Sequence, residues 1–484
     1  MRIVTLGARA SAVLCMLMLF GPFTVSAAVI SKPFEISGWI PYWRTATGTA
    51  DALVHFATFT EINPFVYTVT DNGRLNDAGS ILTDASWVQL KQTAKQNNVR
   101  FIPTIMWSDR DAIDAVLKDP GKRAAHVQTI AQEVYAYNLD GVDIDYEGKL
   151  AKTRPYFSAF LQELYNAIGF NKWVMCTIEA RTPLDSRYET PEDIPPDIEY
   201  SNDFVEINKY CDRVRLMTYD QDRADVKLNA LNADPYVPIA DPKWVEKVLN
   251  LAAVDISKAK LSVGVPTYGY EHDMFPAVDG SGKTDYAQLW SFNPGYGPEI
   301  AGKVGATPSR SAAGELMFSF PASKSPEPSI PLPNATRVLT WSDAEAIRQK
   351  AELAKTFGAR GVSIFKIDGG QDPGLFDVLA PYQTTGVKSA AKTLNLELAK
   401  EEAAAKCVRL HLLRRGRDCG SGQQSRLWAC SAMVRVSWVR EKEREWALGS
   451  LGTKRLQQLL LWQDQGSASL RLTSRLSLRT TRAC

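Results

Sequence analysis

The stretch Leu139-Asp140-Gly141-Val142-Asp143-Ile144-Asp145-Tyr146-Glu147 sets carboxylates among alternating apolar side chains. Read as a strand, alternate residues share a face. Asp143, Asp145 and Glu147 then point one way, and Val142, Ile144 and Tyr146 the other. Three inward carboxylates cannot all be buried ionised and unpaired, so protons or hydrogen bonds must compensate. Burial and neighbouring negative charge both raise a carboxyl pKa. That suits a general acid that keeps its proton near neutral pH. Glu147 is the expected acid, Asp145 the neighbour that exchanges a proton with it, and Asp143 a deeper support for Asp145. A solvated strand face is one competing reading. A second is the start of an EF-hand loop, since Asp143-x-Asp145-x-Glu147-Gly148 has that spacing. Position twelve of such a loop is Arg154, where a bidentate Glu is needed, and the preceding run is strand-like.

Elements that position this ladder follow from periodicity. Short apolar or β-branched runs near Ile36–Tyr42, Phe56–Tyr67, Val99–Thr104, Gly141–Tyr146, Trp173–Ile178, Val214–Tyr219, Leu261–Pro266 and Gly361–Ile367 read as strands. Helical patterns lie between most of them, among them Ser86–Gln96, Arg123–Tyr137, Arg154–Ile168 and Trp244–Ala252. Alternation of this kind implies an α/β protein with a parallel sheet. Eight such units over residues 35–385 predict a closed (β/α)8 TIM barrel. No G-x-G-x-x-G turn follows the first strand to favour a doubly wound sheet. In a barrel the apolar set must meet the helices, so the acids point inward and Glu147 sits at the C-terminal mouth. The surplus chain falls between strands seven and eight, where residues from about 268 to 340 suffice for a small α+β insertion, followed by a helical pattern at Ala344–Phe357.

The chain has 484 residues, 45% apolar and 23% charged, which excludes a disordered or polytopic membrane protein. Its net charge of +2 conceals two objects. Residues 391–484 hold 18 Lys+Arg against 8 Asp+Glu, leaving 38 against 46 in the remainder. That segment has no Pro, Tyr, Phe or Ile, and is expected to be a basic tail outside any folded domain. Residues 1–27 read as a secretory signal: Arg2 and Arg9, an apolar run from Ala10 to Phe23, then Val25-Ser26-Ala27. The expectation is a secreted, extracellular monomer with no membrane span after cleavage and no nucleic-acid partner. Only Cys176 and Cys211 lie in the body, either as one disulfide or as two thiols. Four His, none spaced four residues from another, and no zinc-like Cys pairs argue against a metal. No cofactor is called for.

The sequence resembles glycoside hydrolase family 18, the chitinase-like family. Its signature D-G-x-D-x-D-x-E is matched by Asp140, Gly141, Asp143, Asp145 and Glu147. Met217-Thr218-Tyr219-Asp220 is similar to the family's M-x-Y-D, and Gly264–Gly269 looks like its seventh strand. The resemblance implies a secreted retaining glycosidase that cuts β-1,4 bonds in N-acetylglucosamine-containing polymers, chitin or peptidoglycan. It further implies catalysis without a protein nucleophile, the substrate's own acetamide attacking the anomeric carbon. Carried over, Glu147 protonates the leaving oxygen, Asp145 orients the acetamide, Tyr219 hydrogen-bonds its oxygen, and Asp220, with Met217 beside it in the motif, contacts the sugar. Two departures stand out. The usual S-x-G-G near strand three is replaced by Phe101–Trp107, and the Trp that floors the sugar site by Phe365. Both make the chain look more like spore-germination and peptidoglycan-processing members. Trp39, Tyr42, Trp43 and Trp107 lie near strand ends, as sugar platforms or as core. Glu179, ending strand five, either lines the cleft or forms a surface ion pair. A carbohydrate-binding protein on the same barrel is the alternative; such relatives usually lose the final Glu, which this chain keeps.

Overall fold

A computed structural model describes residues 33–277, 283–326 and 334–383. The expected signal at 1–27 and the basic tail at 391–484 lie outside them. Eight parallel strands close into a barrel: β1 (Glu35–Pro41), β2 (Glu61–Val69), β3 (Thr104–Trp107), β4 (Gly141–Tyr146), β5 (Trp173–Glu179), β6 (Arg213–Met217), β7 (Leu261–Pro266) and β8 (Gly361–Phe365). Each pairs with the next, and β8 pairs with β1, so no edge is left open. The (β/α)8 barrel expected from the alternation is the fold observed.

Seven of the described helices share one start signal. Asp84, Asp109, Asp119, Asp203, Asp225, Asp241 and Asp343 each accept backbone N–H groups at a helix N-terminus. Such caps satisfy donors that the first helical turn cannot, each worth about 1 kcal/mol. On β4, Val142, Ile144 and Tyr146 are at most 1% exposed and join the layer between barrel and helices. The Gly that opens β4 is required by closeness, since a Cβ on Gly141 would stand 2.2 Å from the Trp173 carbonyl oxygen.

Four strand limits differ from those read from the sequence, the eighth strand ending at Phe365 instead of Ile367. The third strand runs Thr104–Trp107 instead of Val99–Thr104, with only a two-residue pairing at Arg100–Phe101 before it. Pro103 separates the two pieces because it has no N–H for the ladder. The second strand begins at Glu61, as Phe56–Thr58 form a 3-10 turn. The sixth ends at Met217 instead of Tyr219. There Thr218 turns its hydroxyl onto the Gly264 carbonyl at 2.7 Å, and Asp220 takes a left-handed φ of 55°. Tyr219 and Asp220 therefore leave the ladder and sit on the rim.

The barrel floor is charged, unlike the branched apolar filling usual in such barrels. Glu35 receives Arg100, Arg213 and Arg360 at 3.2, 2.8 and 2.9 Å. Glu61 receives Arg100 at 2.7 Å and also Arg215. Between β7 and β8, five antiparallel strands form a second sheet, in the order Thr284–Phe292, Gly269–Pro276, Thr336–Trp341, Leu316–Pro321, Ser309–Arg310. The helix Tyr296–Val304 packs on it through Ile300 and Ala301 against Phe292, Phe318 and Trp341. Cys176 on β5 and Cys211, just before β6, are joined by a disulfide, which decides between the two cysteine readings.

Candidate active site

Strand β4 carries Asp143, Asp145 and, one residue past its end, Glu147 from the barrel interior to the mouth. Asp143 is fully buried and surrounded by donors. Its Oδ2 accepts from Trp39 Nε1 at 3.1 Å and Thr104 Oγ1 at 2.8 Å, and its Oδ1 from Thr177 Oγ1 at 2.9 Å. Arg215 Nη1 lies 2.8 Å from Oδ2. Burial pushes the Asp143 carboxyl up to about 6, while the Thr104, Trp39 and Thr177 hydrogen bonds pull it back. A carboxyl below neutrality beside an arginine is an anion at pH 7.

Asp145 is the opposite case. It is 4% exposed, and its Oδ1 has no hydrogen-bond partner among the described residues. Burial, then the charges of Glu147 and Asp143, hold its carboxyl well above the usual carboxylate range. Glu147 is half-buried and raised by burial first and by Glu179 next, with Lys149 opposing and Asp220 adding a smaller push. Asp145 and Glu147 are thus two interacting carboxyls, both raised, above a carboxyl paired with Arg215.

The rim completes the site. Tyr219 stacks on Phe365 at 5.6 Å between centroids, with planes 18° apart. Its hydroxyl is raised by burial and then by Asp145, the largest charge it feels. Phe365 also meets Trp39, Phe65 and Tyr268 edge-on at 6.0, 6.4 and 6.1 Å. It is the hub of an aromatic floor. Asp220 Oδ1 accepts the hydroxyls of Tyr268 at 2.5 Å and Tyr270 at 2.8 Å. Beside this floor opens a cleft of about 280 Å³ walled by Arg44, Asp220, Tyr270, Asn293, Phe365 and Lys366. Asp145 and Glu147 are not among its walls; Tyr219, which feels both charges, stacks on Phe365 of the wall. Met217 is half-buried against the Tyr219 and Tyr268 cluster.

Two expected sugar platforms are placed elsewhere. Trp107 is 2% exposed and packs edge-on against His126 and Tyr146, on the helix side of β3, so it offers no face to the cleft. Trp39 is also 2% exposed, and its indole N–H is spent on Asp143 and Thr104. Parity explains Trp107, which takes the helix side of its strand, whereas Trp39 faces the interior and is buried there beneath Phe365. Trp43 is exposed and lines a neighbouring groove. Glu179 Oε1 accepts the Gly148 N–H at 2.8 Å, and Oε2 accepts Asn202 Nδ2 at 2.9 Å. It braces the turn after Glu147.

Arg215, Lys149, Tyr268 and Tyr270 were not anticipated. The alternation Arg213-Val214-Arg215-Leu216-Met217 is the signal that could have found Arg215, since it puts two cations on the inward face of β6.

A closed (β/α)8 barrel with a buried carboxyl pair at its C-terminal mouth, set on an aromatic floor, defines a glycoside hydrolase. The family model for glycosyl hydrolases family 18 matches residues 39–370, and the chain belongs to that family. It is 23% identical over 308 residues to the uncharacterized glycosylase YvbX of Bacillus subtilis, a match spanning 62% of this chain and 79% of that one. In fold it is similar to the spore cortex-lytic enzyme SleL of Bacillus cereus, with a TM-score of 0.56 at 17% identity, covering 74% of this chain and 76% of the other. It is likewise similar to a chitinase from Chromobacterium violaceum, with a TM-score of 0.55 at 19% identity, covering 72% and 98%.

Proposed function

We propose that this protein is a secreted, monomeric, retaining glycosidase that hydrolyses β-1,4 bonds in N-acetylglucosamine-containing polymers, chitin or peptidoglycan, by substrate-assisted catalysis. One observation carries the reading. The buried Asp145 carboxyl, raised and with an unpartnered Oδ1, stands next to the raised Glu147 on the same strand face. An unpaired buried acceptor is costly and calls for a donor from the ligand. The N–H of a 2-acetamido group supplies one.

In the first step the acetamide oxygen bonds to the anomeric carbon while the glycosidic bond breaks. The Glu147 proton goes to the departing oxygen, leaving a sugar oxazolinium. Asp145 accepts the acetamide N–H and offsets the positive charge, with Asp143 fixed beneath it. In the second step Glu147 takes a proton from water as the water oxygen bonds to the anomeric carbon. The acetamide is released and the acid restored, with configuration retained. Tyr219, fixed on Phe365, is the expected donor to the acetamide oxygen. Asp220 is assigned to the sugar alongside it.

The names of the relatives, a spore cortex-lytic enzyme and a chitinase, point to the two polymers. The signal-like residues 1–27 and the Cys176–Cys211 disulfide support export, since disulfides persist outside the reducing cytosol. The test is hydrolysis of chitin oligosaccharides and peptidoglycan fragments, with the anomer of the first product read by NMR. Glu147→Gln should lower turnover by about 10²–10⁴-fold. Equal activity in that variant removes Glu147 as the acid. Oligosaccharide binding without any product favours the carbohydrate-binding alternative.

A further inference from the structure

Glu147 stands on a turn that is held from two sides. Its backbone N–H donates to the Trp107 carbonyl at 2.9 Å, tying it to β3. The next residue, Gly148, has a left-handed φ of 62°, and its N–H is taken by Glu179 of β5. Lys149 then folds back beneath the turn. Its side chain is fully buried, its ammonium donates to the Tyr146 carbonyl, and it lies 3.7 Å from Glu179 Oε2 and 4.6 Å from the Phe157 ring centre. Asn202 closes the arrangement by donating to the same Glu179 oxygen.

A buried ammonium costs much desolvation free energy, and its removal from a pair leaves the partner uncompensated. Simple bracing of a turn does not require a charge there. The position of the charge is what matters. Facing Glu147 are Asp145 and, deeper, Asp143 on its own strand; Glu179 on β5; Tyr219 and Asp220 on the β6 rim; and Lys149 in its own turn. Four of these are carboxyls and one is a cation. Arg215, the next cation below, is committed to Asp143 and Glu61.

We propose that Lys149 and Glu179 form a clamp that positions the turn carrying Glu147 and, through their opposite charges, sets the pH range over which that acid keeps its proton. The proposal rests on the reading of Glu147 as the general acid. Both are positioning residues: neither is assigned a contact with substrate. Lys149 favours the ionised form of Glu147 and Glu179 disfavours it. Loss of Lys149 therefore raises the pH at which Glu147 ionises, and loss of Glu179's charge lowers it.

The experiment titrates Glu147 directly in protein labelled with ¹³C at the glutamate carboxyls, its resonance identified by its absence in Glu147→Gln. Lys149→Met should move the titration to higher pH and Glu179→Gln to lower pH, with Lys149→Arg left near the wild type. The basic limb of kcat/KM should move in the same opposed senses. In both variants kcat should fall by roughly 10-fold or more with KM changed less, as expected for a displaced acid. Shifts of the same sign, or none, in two folded variants overturn the clamp. The titration does not depend on turnover, so a wild type that cleaves neither polymer sinks the glycosidase reading while the clamp is still judged.

Discussion

The Arg215 guanidinium lies 2.8 Å from the Asp143 carboxylate, two residues before Asp145 on the strand that leads to Glu147. It joins the site to the Arg–Glu floor of the barrel, because Arg215 also pairs with Glu61. Asp143 therefore remains an anion although it is fully buried. That anion raises Asp145 above it. The charged floor, Asp143 and the raised Asp145 form one electrostatic column.

Arg215→Met tests the column. With the cation gone, Asp143 is left buried with only hydroxyl and indole donors, and breaking such a pair costs about 3–5 kcal/mol. We expect the denaturant midpoint to fall and Asp143 to titrate above its value of about 6. Asp145 should then lose part of its upward push once Asp143 is protonated. A variant as stable as the wild type, with an unchanged pH–rate profile, contradicts this account.

Four aromatic rings lean on Phe365. Phe365→Ala removes the surface on which Tyr219 stacks. In a Glu147→Gln background, which keeps substrate intact, its affinity for an N-acetylglucosamine oligosaccharide should drop about tenfold, near 1.4 kcal/mol. Phe365→Trp should keep the affinity. Calorimetric titration decides, and undiminished binding by the alanine variant removes Phe365 from the sugar floor.

His126 packs behind the acid strand, its ring nitrogens bonded to the Gly73 carbonyl and the Tyr146 hydroxyl. Burial lowers its pKa from 6.5 to about 4. A folded-state pKa below the unfolded one means that the unfolded chain binds more protons between those values. Stability is then complete above pH 6.5 and is lost as pH falls toward 4, by up to about 3 kcal/mol. Denaturant midpoints across that window should fall more steeply in the wild type than in His126→Gln. Parallel curves would show that another group sets the acid sensitivity.

Much of this site was legible in the chain because the signals are local. The ladder Asp143-x-Asp145-x-Glu147 needs only the two-residue period of a strand to share a face, and strand and helix observed there agree with that period. Trp39 and Trp107 stayed open between sugar platform and core for a related reason. Both are aromatics near strand ends, but type and neighbourhood do not say which face a side chain takes until the register is set.

The parity of the acids and the alternation that builds a barrel are short-range consequences of backbone geometry and could be read along the chain. Which acid is paired and which is left raised depends on contacts that form when the barrel closes. Asp143 gets its donors from Trp39, Thr104, Thr177 and Arg215, on four different strands, whereas Asp145 Oδ1 gets none among the described residues. Burial and charge act through space, and closure of the barrel brings Trp39 to Asp143, 104 residues away, and Ser37 to Ser363, 326 residues away.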